Sequence, residues 1–333
     1  MKQFKFKRIL PFAMALMLLF AVGCAKAPVP EKTEEAAPET VSIGGEAEET
    51  NTANVDHSSL YAVDGSTETS DNESYASDTA NVNAVLVQKL GVLTMTSADI
   101  NKSGDSTGDF SGGQNAAVAV ISKGQLTLSQ SNITTNGIGA AGMIVSAEGT
   151  QLTVTDTSVY TSGESSPAVI VRDDASAMIS SGTLSTEGAD SPAILLMGGR
   201  LTLTGVTITS KSGDLIRVLG GYNFLTLDNT AITAMPALPE GATLMLRLQN
   251  GASFGGTLGG SVPAKASVTL DATSKLTLTA ETYVAGFVNA DLTHANIQSN
   301  GFNLYYDSSV AENAYIEGQS FALPGGGFLA PII

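Results

Sequence analysis

Short apolar alternations separated by polar turns fill the chain from about Asn81 onward. In each alternation every second residue is apolar, as a strand with one buried face requires. The pattern repeats every 24 to 33 residues and can be followed from one anchor position to the next. The anchors are Leu93, Leu126, Leu152, Ala177, Leu201 and Leu225. A fixed period of this length predicts a solenoid built from stacked repeats.

The positions two and seven places after each anchor are apolar as well. The second place holds Met95, Leu128, Val154, Ile179, Leu203 and Leu227, and the seventh holds Ile100, Ile133, Val159, Leu184, Ile208 and Ile232. A third alternation precedes each anchor, as in Ala193 with Leu195, and its register slips by about one residue at Ile144 and near Arg217. Three strands this short cannot bury their inner faces alone. The pattern therefore predicts an all-β, single-stranded, right-handed parallel β-helix.

Glycine recurs eleven places after the anchor, at Gly104, Gly137, Gly163 and Gly188. We expect these glycines to mark a corner where the backbone adopts a conformation that L-residues resist. The tripeptide SPA occurs at 166–168 and at 191–193, about one period apart. The two copies should therefore be neighbouring corners, where proline, which lacks an N–H, suits a turn that enters a strand.

Extra residues lengthen one period. The step from Leu93 to Leu126 is the longest, and the excess falls on the turn-rich segment 101–115. We expect this insertion to bulge from one corner and, as insertions in solenoids tend to, to mark the binding face.

The period weakens after Ala234, and the pattern leaves the fold of 235–275 open. The run KLTLT at 275–279 then restates the strand alternation. An uncovered β-helix end would offer unpaired strand edges to other chains. The last part of the chain is therefore predicted to be a cap, with Phe302, Leu304, Tyr305 and Tyr306.

The amino terminus has the pattern of an export signal. Four basic residues precede an apolar run at 9–22, and no acid occurs before Cys24. AVGC at 21–24 resembles the bacterial lipobox, whose cysteine carries a diacylglyceryl group after cleavage. Cys24 is the only cysteine, so no intramolecular disulfide can form. We expect residues 1–23 to be removed and Cys24 to be lipidated; an ordinary secretory signal is the alternative.

Acidic residues outnumber basic ones in the rest of the chain, most strongly in the segment before the repeats. Removing 1–23 takes away four of the 16 basic residues and none of the 32 acidic ones. Nucleic acid is thereby excluded as a partner, because its backbone needs clusters of Lys and Arg. Between Glu31 and Asp78 thirteen acids face one base. Segment 24–78 is therefore predicted to be a disordered acidic tether that precedes a β-helix at 79–333.

The strand pattern resembles a known family. The run NAAVAVISKGQLTLSQSNITTNG, the later SPAVIV and GDLIRVL, and the closing SKLTLTAETYVAGFVNADLTHANIQSNGFNLYY resemble exported bacterial β-helix proteins, many of them named as adhesins with pectate-lyase-like folds. The resemblance covers roughly 75–310. It implies a cell-surface β-helix, and it brings no catalytic residues with it.

Polysaccharide lyases and hydrolases share this fold, so the carboxylates of the chain are candidate catalytic residues. Those sites need clustered or paired carboxylates. Within the repeats the pattern offers one adjacent pair, Asp173 and Asp174, beside Arg172. A solvated turn explains this pair best, with calcium binding as a weak metal candidate. His57 and His294 are far apart in sequence and predict no metal site, so we expect no catalytic residue and no cofactor.

Outward positions beside the anchors are rich in threonine. Two columns are expected, one with Thr94, Thr127, Thr153, Thr202 and Thr226, the other with Thr96, Ser129, Thr155, Ser180 and Thr204. Met178 and Asp228 interrupt them. Threonine suits any exposed strand, and a flat threonine face is also typical of ice-binding solenoids. The predicted binding surface comprises Thr127, Thr153, Thr155, Thr202 and Thr204.

These patterns together predict an exported lipoprotein held at the bacterial cell envelope and facing outward. Lipidated Cys24 would anchor it in the membrane, and the β-helix rod would bind an extracellular glycan or protein as adhesins do. Two alternatives stay open, a polysaccharide lyase or hydrolase and a structural envelope component.

Overall fold

The computed structural model describes residues 57–234, 236–259 and 264–332. This part of the chain winds into an all-β, parallel β-helix of about eleven coils, as predicted. Cys24, the export signal and the first part of the predicted tether lie outside the described residues. Within them, no helix combines the length and the apolar character needed to cross a membrane.

Each of the first coils contains three strands. They are β1 (Ser58–Asp64), β2 (Thr67–Asp71), β3 (Ser74–Ser77), β4 (Val82–Gln88), β5 (Val92–Thr96), β6 (Asp99–Lys102), β7 (Val118–Val120), β8 (Gln125–Ser129) and β9 (Asn132–Thr135). In the middle coils some strands run on through a corner. These are β10 (Met143–Ser146), β11 (Gln151–Thr161), β12 (Val169–Thr186), β13 (Ile194–Thr204), β14 (Thr207–Ser210), β15 (Ile216–Asp228) and β16 (Ala231–Ala234).

The carboxy-terminal coils continue the same winding through the segment whose fold the sequence left open. Their strands are β17 (Ala242–Gln249), β18 (Ser253–Gly256), β19 (Ala266–Leu270), β20 (Lys275–Leu278), β21 (Thr282–Val284), β22 (Phe287–Asn289), β23 (Ile297–Gln298), β24 (Leu304–Tyr306), β25 (Phe321–Ala322) and β26 (Phe328–Pro331). Two short 3-10 helices are η1 (Phe110–Gly112) and η2 (Ala311–Ile316).

The predicted anchor column is confirmed residue by residue. Leu93 pairs with Leu126, Leu126 with Leu152, and the pairing continues through Ala177, Leu201 and Leu225. All of these side chains are buried. The column extends through Leu246, Val268 and Phe287. One aliphatic or aromatic side chain per coil thus forms a continuous interior, the main source of hydrophobic stabilisation in the rod.

The inward pair of the third alternation slips by one residue relative to the anchor at Ile144 and near Arg217, as predicted. It begins nine places before the anchor at Met143 and at Ile216, against eight places at Val118. Met143 and Val145 pair with Val118 and Val120 and with Val169 and Val171, and all point inward. Farther along, Ile194 and Leu196 are the inward pair, not Ala193 and Leu195. The error has a physical origin. The outward positions of these strands are apolar too and form a second cluster that includes Leu86, Ala119, Ile144, Ile170 and Leu195, so alternation alone cannot tell the two sides apart.

The predicted insertion covers that outward cluster. Helix η1 lies within 101–115, and Phe110 packs against the cluster. The Arg172 guanidinium donates to the Ser111 carbonyl oxygen at 2.5 Å and fastens the insertion to β12. The insertion therefore folds back onto the rod instead of bulging from it.

The recurring glycines are required by close packing, not by an unusual backbone angle. None of Gly104, Gly137, Gly163 and Gly188 has φ in the left-handed region, so the expected reason was wrong. Instead a Cβ on Gly163 would overlap the carbonyl oxygen of Gly137, and one on Gly188 would overlap that of Gly163. Only glycine lets successive coils approach so closely here.

The two SPA copies are neighbouring corners, as predicted, and their serines join the coils. Ser166 and Ser191 are both buried. The Ser166 hydroxyl donates to the Gly137 carbonyl at 2.9 Å, and the Ser191 hydroxyl donates to the Gly163 carbonyl at 3.0 Å. The Ser166 N–H in turn donates to the Ser191 hydroxyl oxygen at 2.9 Å. Each serine thereby satisfies backbone groups that the corner would otherwise bury unpaired.

The β-helix begins earlier than predicted. Residues 58–77, assigned to the tether, form β1, β2 and β3, which pair with β4, β5 and β6. The apolar period fails here because the inner positions other than Val63 are polar or aromatic. Glu68 occupies the anchor place beside Leu93 and accepts a hydrogen bond from the Tyr61 hydroxyl at 2.7 Å, while the ring of Tyr75 lies 4.9 Å from that of Tyr61.

The other end is closed by η2 and the antiparallel pair β25–β26. Side chains of η2 replace a next strand for β22. Asn313 Oδ1 accepts from the Phe287 N–H at 2.7 Å, and the Tyr315 hydroxyl accepts from the Asn289 N–H at 3.2 Å. Tyr306 is fully buried in β24, which pairs with β26. These contacts use strand-edge groups that could otherwise pair with another chain.

Buried His294 makes this closed end sensitive to acid. Its ring lies between Phe287 and Phe321, at centroid distances of 6.0 and 5.1 Å, and its Nδ1 is 3.3 Å from Asn289 Nδ2. Burial lowers the pKa of the imidazole, against the opposing effect of Asp291. The unfolded chain takes up a proton near pH 6.5 while the folded end resists it, so stability falls as the pH drops below 6.5.

A His294→Asn variant should lose most of this dependence. Asparagine accepts the left-handed φ of +55° at this position and does not titrate. We expect the wild type to lose up to about 1.4 kcal/mol per pH unit below 6.5 through this group. Thermal midpoints at pH 7 and pH 5 measure the effect, before most carboxylates titrate. An equal decrease in both proteins would contradict the assignment.

Candidate ligand-binding groove

A groove of about 430 Å³ lies on the outer surface of β13, β15, β17, β19 and β22. The strand period explains which residues line this groove. Because the anchors point inward, the residues on either side of each anchor point outward and form two columns. In the groove the first column is Arg200, Phe224, Met245 and Ser267, and the second is Thr202, Thr226, Arg247, Thr269 and Val288.

Toward the cap, the groove is lined by small residues. Ser267 lies between Met245 and Gly286, and its hydroxyl accepts a hydrogen bond from the Gly286 N–H at 3.1 Å. A Cβ on Gly286 would stand 3.1 Å from the Ser267 oxygen and 3.8 Å from Glu312 Cβ. Glu312 belongs to η2, so the carboxy-terminal cap also forms one end of the groove.

Two arginines supply the positive charge of the groove. Arg200 and Arg247 are both exposed, and neither forms an ion pair within the described part of the chain. The other two arginines found there are paired, Arg172 with Asp173 and Arg217 with Asp190 and Asp214. The groove thus presents two available guanidinium groups on a protein whose net charge is −16.

Apolar groups lie between these charges. The Arg200 guanidinium carbon sits 4.0 Å above the centroid of the Phe224 ring, a cation–π contact that fixes its position. Met245 and Val288 are 46% and 38% exposed and offer a flexible thioether and an aliphatic surface. Threonine and serine hydroxyls complete the floor. A groove with an apolar floor and a few converging polar groups is typical of a ligand site.

Of the five threonines in the predicted binding surface, only Thr202 lines this groove. The expected columns are real, since Thr127 pairs with Thr153, Thr155 with Ser129 and Thr202 with Thr226. Thr202 lies in the groove. Thr127, Thr153 and Thr155 lie on β8 and β11, outside it, and Thr204 lies at the far end of β13. The insertion at 101–115 does not line the groove either.

Asp173 and Asp174 lie in a bulge of β12, and both have φ in the left-handed region. Asp173 Oδ2 accepts from Arg172 Nε and from the Ser146 hydroxyl, each at 2.7 Å. Across the described ranges no three His, Cys, Asp or Glu side chains come together in a way that could hold a metal ion. In the groove the one carboxylate is Glu312.

The groove residues that sequence reasoning missed are Arg200, Phe224, Met245 and Arg247. Each occupies an outward position that holds Thr, Ser, Gln or Val in most earlier coils, with Met178 as an exception. Arg200 and Phe224 directly precede the anchors Leu201 and Leu225, so the sequence alone places them in one outward column. Met245 and Arg247 join these columns only when the register is known past Ala234.

Comparison of the chain with protein-family models, with curated proteins and with solved structures gives no match. Of the expectations attached to the family resemblance, the structure shows the parallel β-helix. Any statement on function therefore depends on the groove itself.

Proposed function

We propose that this protein is a cell-surface lipoprotein whose β-helix rod binds extended glycan chains through the groove on β13, β15, β17, β19 and β22, as an adhesin does. The observation that supports the proposal is the groove. It combines an apolar floor, hydroxyl groups and two arginines.

The pairing of the floor strands favours a glycan over a peptide. Peptides that bind sheets commonly add as a strand at an open edge, where main-chain hydrogen bonds provide affinity. Here β15 pairs with β13 and β17, and β19 pairs with β17 and β22, so the floor has no open edge. A ligand must therefore contact side chains, and Thr202, Thr226, Ser267 and Thr269 offer hydroxyl groups to a hydroxyl-rich ligand.

The anchoring part of the proposal comes from the amino terminus. A diacylglyceryl group on Cys24 would hold the chain in the membrane, and the acidic segment after it would keep the rod away from the surface. Mass spectrometry of the membrane fraction tests this part, because the amino-terminal peptide of the mature protein should begin at acylated Cys24.

A Thr226→Trp substitution should block the groove. Thr226 is an outward residue in the middle of the floor, so an indole there fills space without entering the core. Thr127→Trp is the matched control, because Thr127 belongs to the same outward column on β8, outside the groove. On a glycan array we expect the wild type and Thr127→Trp to bind the same glycans, and Thr226→Trp to bind them at least about tenfold more weakly.

The same array separates the alternatives. Loss of binding in Thr127→Trp but not in Thr226→Trp would place the site on the threonine columns of β8 and β11. New reducing ends released from a bound glycan would show a polysaccharide-cleaving enzyme. Absence of binding to every glycan would contradict the proposal and favour a structural role in the envelope.

A further inference from the structure

We infer that the ligand of the groove is an anionic oligosaccharide, one that carries carboxylate groups, and that Arg200 and Arg247 bind these groups. The inference rests on the proposed function and specifies the chemistry of its ligand. Arginine is suited to this role because its planar guanidinium binds a carboxylate through two parallel hydrogen bonds.

The groove and the chain as a whole carry opposite net charges. The chain carries a net charge of −16, so most of its surface repels an anionic polymer. In the groove the two arginines face a single carboxylate, Glu312. The local charge of the groove is therefore positive, opposite to that of the chain as a whole, and it favours an anionic ligand.

The two arginines of the groove differ from the other two described arginines in having no acidic partner. Arg172 and Arg217 are bound by neighbouring aspartates and hold parts of the structure together. Within the described residues, Arg200 and Arg247 form no ion pair of this kind. Arg200 is held on the face of Phe224, which restricts its motion before a ligand arrives and lowers the entropy lost on binding. These two side chains are placed to receive an external anion.

The spacing of the arginines gives the size of the ligand. Arg200 pairs with Phe224 and Phe224 with Met245, and Arg247 follows two residues later. With about 4.8 Å between coils and about 3.3 Å per residue, the two Cα atoms are about 12 Å apart. Two charges on separate coils are suited to an oligosaccharide that carries at least two anionic groups, one for each arginine.

The test measures binding of the full-length protein to an eight-residue oligouronate by calorimetry. The comparison ligand is the same oligosaccharide with every carboxyl reduced to a primary alcohol. We expect the wild type to bind the acid form at least about tenfold more tightly than the reduced form, and the preference to shrink as salt screens the charges.

Two sets of variants locate the charge effect. Arg200→Gln/Arg247→Gln should lose at least about tenfold in affinity for the acid form and little for the reduced form. Lys123→Gln/Lys275→Gln removes the same charge from exposed positions off the groove and should change the affinity less than about twofold. Phe224→Leu keeps the charge but frees Arg200, and it should lose several-fold. Circular dichroism checks that each variant is folded.

The outcomes separate this inference from the proposed function. Equal binding of the acid and reduced forms, or no loss in Arg200→Gln/Arg247→Gln, would overturn the anionic ligand and leave glycan binding in place. Equal binding of poly-glutamate through the same arginines would assign the groove to acidic peptides instead. If neither oligosaccharide nor any glycan on the array binds, the proposed function itself fails.

Discussion

A Gly163→Ala variant is expected to lose about 3 kcal/mol or more of its free energy of unfolding. The added methyl group would overlap the carbonyl oxygen of Gly137, which is backbone in the preceding coil and cannot rotate away. That carbonyl also accepts the Ser166 hydroxyl at 2.9 Å, so moving it disturbs the hydrogen bonds that join successive corners. Because each coil packs only on its neighbours, the damage weakens a contact that the rod cannot bypass.

Gly220→Ala is the matched control for this change. A Cβ on Gly220 meets no atom within 4 Å, and its φ lies outside the left-handed region. We expect its stability to stay within about 0.5 kcal/mol of the wild type. Denaturant unfolding followed by circular dichroism measures both variants. Equal stability of Gly163→Ala and Gly220→Ala would show that the coils are not packed as closely as described.

A Leu152→Ala variant is expected to lose about 2 to 5 kcal/mol. Leu152 lies between Leu126 and Ala177 in the anchor column and is fully buried, so truncation leaves a cavity in the interior of the rod. The next residue, Thr153, points outward from the same strand, and Thr153→Ala should cost less than about 1 kcal/mol. Urea unfolding of the two variants compares the two faces of β11 directly.

The result that matters is the large difference between Leu152→Ala and Thr153→Ala in the free energy of unfolding that each loses. If Thr153→Ala destabilised the protein as much as Leu152→Ala, the assignment of inner and outer faces on β11 would be wrong, and with it the outward position of the threonine columns.

The anchor column could be predicted from the sequence because its strands have one apolar and one polar side. Leu126, Leu152 and Leu201 alternate with threonine, so the period and the direction of each side chain follow together. The strands before the anchors did not allow this. Ile144 and Leu195 are buried on the outer side beneath the insertion or beside it, and a strand that is apolar on both sides carries no register information.

The first coil could not be predicted for the opposite reason. Its inner positions include Tyr61, Glu68 and Tyr75, which close the end of the rod through a hydrogen bond and a ring contact. A capping coil covers the core on one side only, and polar inner residues are compatible with that place. Composition therefore assigned 58–77 to the acidic tether, although the strands pair with the next coil.

The sequence placed few of the residues that line the groove. The sequence indicated that the outer face would bind, and Thr202 does line the groove. The anchor period places Arg200 beside Phe224, but it does not show that the guanidinium stacks on the ring, because that depends on side-chain rotamers. It could not show that Arg247 has no acidic partner either, because its neighbouring coils were not known. Beyond Ala234 the spacing of the strands changes, and the position of Arg247 two coils from Arg200 is visible only in the folded chain.

The central claim is that ligands are bound on the outer surface of β13, β15, β17, β19 and β22. Photo-cross-linking of the full-length protein to an oligouronate that carries a photoreactive group, followed by mass spectrometry of the labelled peptides, tests it most directly. We expect cross-links to fall in 200–202, 224–226, 245–247 and 286–288. Cross-links confined to β8 and β11, around Thr127 and Thr153, would contradict the claim.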